Sequence, residues 1–198
     1  MEAIKKDFYT YEDYCKFNDE KRREIINGVI YLLASPIKEH EDILSNLFLE
    51  LGGYLKSKKD EKCKIYTSFD VRLPKENETK ETASNVVRPD IFIVCDEKKL
   101  TRRGCVGAPD LVIEILSPST GKKDKTEKFN LYQEHGVKEY WVVDPYSQVI
   151  DRFLLDEENS KYKQAETFGT NDTIGPAIFP DFKINLDEIF PPLDVYED

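Results

Sequence analysis

The chain is poor in the residues that build soft-metal sites. It has two histidines, His40 and His135, and four cysteines (Cys15, Cys63, Cys95, Cys105) without any C-x-x-C spacing. That argues against a Cys/His zinc site. The thiols read as reduced, with Cys95 a small core residue on an apolar strand. No apolar run approaches the ~20 residues that a membrane-spanning helix needs. The opening "MEAIKKDFYTYEDYCKF" lacks the apolar segment of a secretory signal. A soluble, cytoplasmic protein is therefore expected. Positive charge is also scarce, with 29 Lys+Arg against 39 Asp+Glu and a net charge of -10. Such a chain does not coat nucleic acid through a basic surface, although an enzyme needs only a local basic path. Internal repeats and low-complexity tracts are absent.

What is present suits one α/β domain spanning residues 1–198. The chain is 39% hydrophobic, with 11 Phe and 11 Tyr, enough for a substantial core. Thr10 with Asp13 predicts a helix start over "TYEDYCKFND". "REIINGVIYLLA" predicts a hairpin hinged on Asn27-Gly28. From His40 to Leu55 apolar residues recur at helical spacing, which predicts a long amphipathic helix. "CKIYTSFDVRLP", "VVRPDIFIVCD" and "DLVIEILSP" each read as one strand, and "EKKLTRRGCVGAP" as a basic connection. "KKDKTEKFNLYQEHG" reads as a helix capped by Gly136, with Phe129 and Tyr132 on its inner side. "VKEYWVVDPYSQVIDRFLL" gives two strands across an Asp144-Pro145 turn, and "KYKQAETF" a weaker one. "DLVIEIL", a helix and "EYWVVD" form a crossover unit, so a mixed central β-sheet flanked by helices is expected.

Chemistry is suggested by two Pro-Asp steps, each leading into a β-branched run. The second run carries Glu114 at its centre, and a buried carboxylate is costly unless a cation or donor meets it. By strand alternation Glu114 shares a face with Asp110, Val112 and Leu116, and it points where Asp90 on a neighbouring strand also points. Two converging carboxylates repel unless a cation or a proton lies between them, and Mg²⁺ or Mn²⁺ suits such oxygen donors. In the following helix the i, i+4 spacing puts Asp124, Lys128 and Tyr132 on one side, from which Lys128 can reach the same place.

Asp90 after Pro89, Glu114-x-x-Ser117 and a helical lysine together resemble the PD-(D/E)XK nuclease superfamily, and more closely its Uma2 (DUF820) branch of restriction-endonuclease-like proteins. Supporting segments are "REIINGVIY", Pro36 and His40 before the long helix, "VVRPD", "GAPDLVIEILSPST", "DKTEKFNLYQEHGVKEYWVVDP" and "IFPDFKINLDEIF". The resemblance implies a restriction-endonuclease-like core and Mg²⁺-dependent hydrolysis of phosphodiester bonds, in DNA first of all. It also implies Asp90, Glu114 and the backbone carbonyl of Ile115 as metal ligands. Lys128 would orient or deprotonate the attacking water, and Glu24 would join the site directly or through its ligands. Leu116 stands where the superfamily has the lysine of its E-x-K element, so that role passes to Lys128.

Plainer readings compete for several residues. Asp110 suits a turn, Glu114 could pair structurally with Arg88 or Lys128, and Glu24 could form surface pairs beside Lys21-Arg22-Arg23. His40 reads as an ordinary helix-start residue, and Tyr140 and Trp141 as core or interface. "GKKDK" is either a solvated run or a set of phosphate contacts. Two functions follow: a DNA endonuclease acting as a homodimer, or a catalytically inactive binding or assembly protein on the same fold.

Overall fold

The computed structural model describes residues 7–58, 62–117 and 124–192, with the side chains of Asp124 and Lys125 outside that description. Pro118, Ser119, Thr120 and the "GKKDK" side chains therefore lie outside the described residues.

Helix α1 (Tyr11–Tyr14) is shorter than the sequence predicts, but it starts as expected, with Asp13 accepting the Thr10 backbone N–H in a capping box. Strands β1 (Arg23–Ile26) and β2 (Val29–Leu32) form the predicted hairpin. Its two turn residues both have positive φ, 50° at Asn27 and 78° at Gly28. The Phe8 ring lies where a Cβ on Gly28 would go, so any other residue there would have to displace that ring as well as adopt the positive φ. Helix α2 (Lys38–Ser57) buries Ile43, Leu47 and Leu51, each contributing roughly 1.5–3 kcal/mol of apolar burial.

Two predicted single strands are broken by the structure. "CKIYTSFDVRLP" divides at Ser68, whose φ of 48° ends β3 (Lys64–Thr67) before β4 (Val71–Arg72). "VVRPDIFIVCD" divides at Pro89, which has no N–H for a ladder, giving β5 (Val86–Val87) and β6 (Ile91–Val94). At both breaks the chain passes between two sheets. The basic connection contains a further hairpin, β7 (Leu100–Thr101) and β8 (Gly104–Val106).

The expected crossover is present. Strand β9 (Leu111–Ile115) pairs parallel with β10 (Glu139–Asp144), and between them run a π-helical turn, Asp124–Lys128, and helix α3 (Phe129–Glu134). Strand β11 (Val149–Asp156) follows the Asp144-Pro145 turn, and "KYKQAETF" supplies β12 (Lys161–Tyr162) and most of β13 (Glu166–Gly169). The short strands β14 (Thr173–Ile174) and β15 (Ile184–Asn185) pair with each other.

The main sheet is mixed, in the order β12-β11-β10-β9-β6-β3 with β13 beside β11. Strand alternation divides its side chains between two cores. Ile91, Ile93, Leu111, Ile113 and Ile115 pack on α2 and the C-terminal segment. Phe92, Val94, Val112 and Leu116 pack on α3 and on the smaller sheet β2-β1-β5-β4-β8-β7. This is the expected α/β class, a mixed sheet with helices on its faces. Trp141 and Tyr140 are fully buried, one in each core, as read from sequence.

The cysteines need a correction. Cys63 and Cys95, read as reduced thiols, are joined in a disulfide. Lys64 pairs with Val94, so the next position of the register sets Cys63 opposite Cys95 on β3 and β6. Among the described residues no helix is long and apolar enough to cross a membrane.

Candidate active site

Ile91 pairs with Ile113 across β6 and β9, so the next position sets Asp90 directly opposite Glu114. Pro89 makes this possible by ending β5 and turning the chain into the main sheet at Asp90. One carboxylate oxygen, Oδ2, accepts the Ile115 N–H at 2.7 Å, and Oδ1 lies 3.2 Å from His40 Nε2.

Glu114 is only 2% exposed. Its Oε1 accepts hydrogen bonds from Lys128 Nζ at 2.8 Å and from the Tyr132 hydroxyl at 2.6 Å. The same ammonium lies 2.9 Å from Glu24 Oε1, and Glu24 is fully buried. Glu24 Oε1 also accepts the Arg88 backbone N–H at 2.9 Å. The mid-strand carboxylate is thus tolerated because a buried cation and a phenol meet it. Burial, and then the Glu114 charge, push the Tyr132 hydroxyl well above the usual phenol range, so it remains a donor.

Lys128 ends the π-helical turn and Tyr132 lies one helical turn further on, so both reach Glu114 as their spacing predicts. Leu116, in place of the superfamily's lysine, is buried in the second core. Lys128 therefore brings an ammonium to the acidic pair from the helix rather than from the strand.

Asp90, Glu114, Lys128, Glu24 and Ile115 all line one cleft of about 60 Å³. His40 and Arg22 line it too. His40 departs from its reading as an ordinary helix-start residue: it is buried, with Nε2 toward Asp90 and Nδ1 3.4 Å from Glu41 Oε1. Burial alone would lower its pKa, but Asp90 and Glu41 outweigh that and the net direction is upward. A signal for it exists in the sequence, since His40 falls on the apolar stripe of Ile43, Leu47 and Leu51.

Other candidates prove structural. Asp110 accepts the Cys95 N–H at 2.8 Å and meets Lys138 Nζ at 3.0 Å, anchoring the start of β9. The Arg88 guanidinium turns to Asp70 and to the Ser68 carbonyl rather than to Glu114.

The donors suit a hard divalent ion. Asp90 and Glu114 offer carboxylate oxygens from adjacent strands, and a cleft of about 60 Å³ has room for an ion and a few waters. Among the described residues no group of three His, Cys, Asp or Glu side chains forms a ready cage. The fit is to an ion that takes two carboxylates and keeps several waters, as Mg²⁺ does.

Comparison with known proteins gives concordant results. Residues 8–187 match the Uma2 family, described as "Putative restriction endonuclease". Two Synechocystis proteins are similar. "Uncharacterized protein slr1290" is 29% identical over 155 residues, covering 74% of each chain. "Uncharacterized protein sll1609" is 28% identical over 140 residues, covering 67% of this chain and 72% of its own. The crystal structure of "a putative nuclease belonging to DUF820" from Anabaena variabilis superposes with a TM-score of 0.72. At 19% identity, covering 92% of this chain and 97% of the other, it establishes the shared fold.

Proposed function

The chain belongs to the Uma2 family, and from that premise we propose that it is a Mg²⁺- or Mn²⁺-dependent endonuclease hydrolysing phosphodiester bonds, with DNA as its substrate. The observation that carries this reading is the convergence of Asp90, Glu114, Lys128 and Glu24 on one cleft. Asp90 and Glu114 would hold the ion, with the Ile115 carbonyl as a third oxygen. When bound, the ion polarises the scissile phosphate and lowers the pKa of a coordinated water.

The protein's own groups complete the chemistry. Lys128 Nζ donates to the attacking water or to a phosphoryl oxygen and stabilises the charge that develops there. Glu24 holds that ammonium at 2.9 Å alongside Glu114. Tyr132 and the Ile115 N–H fix Glu114 and Asp90, so neither carboxylate has to be ordered when substrate arrives. A homodimer would place two such clefts for cutting both strands.

One observation favours the second reading, a nuclease fold kept for binding or assembly: the Lys128 ammonium already satisfies both Glu24 and Glu114. Plasmid nicking with Mg²⁺ or Mn²⁺ distinguishes the two. Asp90→Asn and Glu114→Gln should remain folded by circular dichroism and lose nicking at least a hundredfold. Nicking that survives in both variants would exclude this site, and a wild type that neither nicks DNA nor binds Mn²⁺ by isothermal titration would favour the binding protein.

A further inference from the structure

The cleft shares lining residues with two wider hollows. Arg22, Leu33, Ala34 and Ser35 belong both to the cleft and to a hollow beside β2. Arg88 belongs both to the cleft and to a second hollow beside α1. The cleft, at about 60 Å³, admits an ion, waters and the edge of a phosphate, but not a nucleobase. The hollow beyond Arg88, at about 490 Å³, has room for a base.

Its walls carry aromatic rings and two arginines, with the Asp70 carboxylate 3.3 Å from Arg88 Nε offsetting part of that charge and Arg103 left as the outer guanidinium. Phe69 is half-buried, with its ring 5.2 Å from that of Tyr66. Phe17 is 37% exposed, with the Arg23 guanidinium 3.9 Å over its ring. Arg103 is exposed on the same wall. The floor is fixed by hydrogen bonds: Tyr14 donates to Asp70 at 3.2 Å, and Arg88 donates to the Ser68 carbonyl at 2.6 Å. In a chain of net charge -10, this is a local concentration of the two groups that bind single strands, rings for bases and guanidinium groups for phosphates.

We propose that this hollow is a nucleobase subsite, in which an unpaired base of the substrate strand stacks on Phe69 while Arg103 and Arg88 meet the adjoining phosphates. The inference rests on the nuclease reading and sharpens it, since a base must be unpaired to enter, and a single strand avoids the cost of unpairing and unstacking it from a duplex. The preferred substrate is then single-stranded, or a duplex where it frays, is mismatched or carries a flap. Arg88, shared by the two spaces, sets the distance from the stacked base to the scissile phosphate.

The test uses the full chain, a fluorescein-labelled oligothymidylate and a blunt duplex of the same length, both without divalent metal. Wild type should bind the single strand more tightly than the duplex. Phe69→Leu keeps apolar bulk but removes the ring, and it should weaken single-strand binding about 5- to 100-fold while leaving duplex binding unchanged. Phe69→Trp should retain binding. Because Trp141 is the chain's sole tryptophan and is fully buried, the new indole should also be quenched as the oligonucleotide binds. Unchanged affinity in Phe69→Leu, no quenching in Phe69→Trp, or a wild type that binds neither strand form or prefers duplex would overturn the subsite. Hydrolysis of bis(p-nitrophenyl) phosphate with Mn²⁺, compared between wild type and Glu114→Gln, needs no base and tests the nuclease reading separately.

Discussion

Lys128 Nζ lies within 2.9 Å of two buried carboxylates, and the local fold depends on it as much as any chemistry does. Replacing it with methionine keeps the stem but leaves Glu24 and Glu114 facing each other without a cation. Removing one partner of such a buried set costs roughly 3–5 kcal/mol, so Lys128→Met should show a much lower urea midpoint. Lys128→Met combined with Glu114→Gln should recover part of that loss, because one of the two stranded charges is gone. Equal midpoints for the single and double variants would mean that Glu114 is not the group Lys128 neutralises. At this scale the sequence was informative about pairs set by local spacing. Lys128 and Tyr132 could be placed together because a helix brings i and i+4 to one side. His40 could not be linked to Asp90, because that contact joins α2 to a strand fifty residues away and no local periodicity encodes it.

Elements were legible where one rule governs them, and illegible where the chain changes sheets. The Asn27-Gly28 hairpin, α2 and the β9–α3–β10 crossover follow from turn chemistry and periodicity. Ser68 and Pro89 interrupt runs that read as continuous strands because hydropathy does not report which sheet a residue joins. The disulfide is hidden for a related reason, since opposing Cys63 to Cys95 requires the β3–β6 register. Closing a loop with 32 residues of separation stabilises by about 3–4 kcal/mol on the chain-entropy account. Dithiothreitol should therefore lower the wild-type urea midpoint. The double variant Cys63→Ser, Cys95→Ser should start lower and not respond to the reductant; a wild type equally indifferent to it would exclude the bond.

A second link between elements is Glu139 at the start of β10, which is 1% exposed. It accepts from the Trp141 indole N–H and from the Ala177 N–H, both at 2.7 Å, and so ties the C-terminal segment to the sheet. Burial raises its pKa above the ordinary 4.5, and the two donors only partly offset this. The folded state therefore holds this proton to higher pH than the unfolded state does. The resulting stability is fully present below about 4.5 and is lost as pH rises through the raised folded value. Glu139→Gln removes the titration, so the stability of wild type relative to this variant should decline with pH across that window and then level off. A flat difference would show that burial leaves its pKa unshifted, and one that grows with pH that the fold favours the charged carboxylate.

For the molecule as a whole, the proposed function requires that a chain of net charge -10 engage a polyanion. Its composition weighs against a broad basic face, and the structure places cationic groups locally, with Arg22 and Arg88 at the cleft and Arg103 in the hollow that shares Arg88 with it. Each phosphate neutralised releases counterions, so the logarithm of the binding constant falls with the logarithm of salt at about 0.7 to 0.9 per contact. Three contacts predict a slope near -2 to -3, well short of the steep dependence of proteins that bind through extended basic surfaces. Each of Arg22→Ala and Arg103→Ala should reduce that slope by about one and weaken binding without changing any sequence preference. Fluorescence anisotropy across a salt series measures both quantities. A slope of -6 or steeper would require a phosphate-binding surface that these arginines do not supply, such as one completed by a second copy of the chain. That slope would then steepen with protein concentration, whereas a slope set within one chain would not.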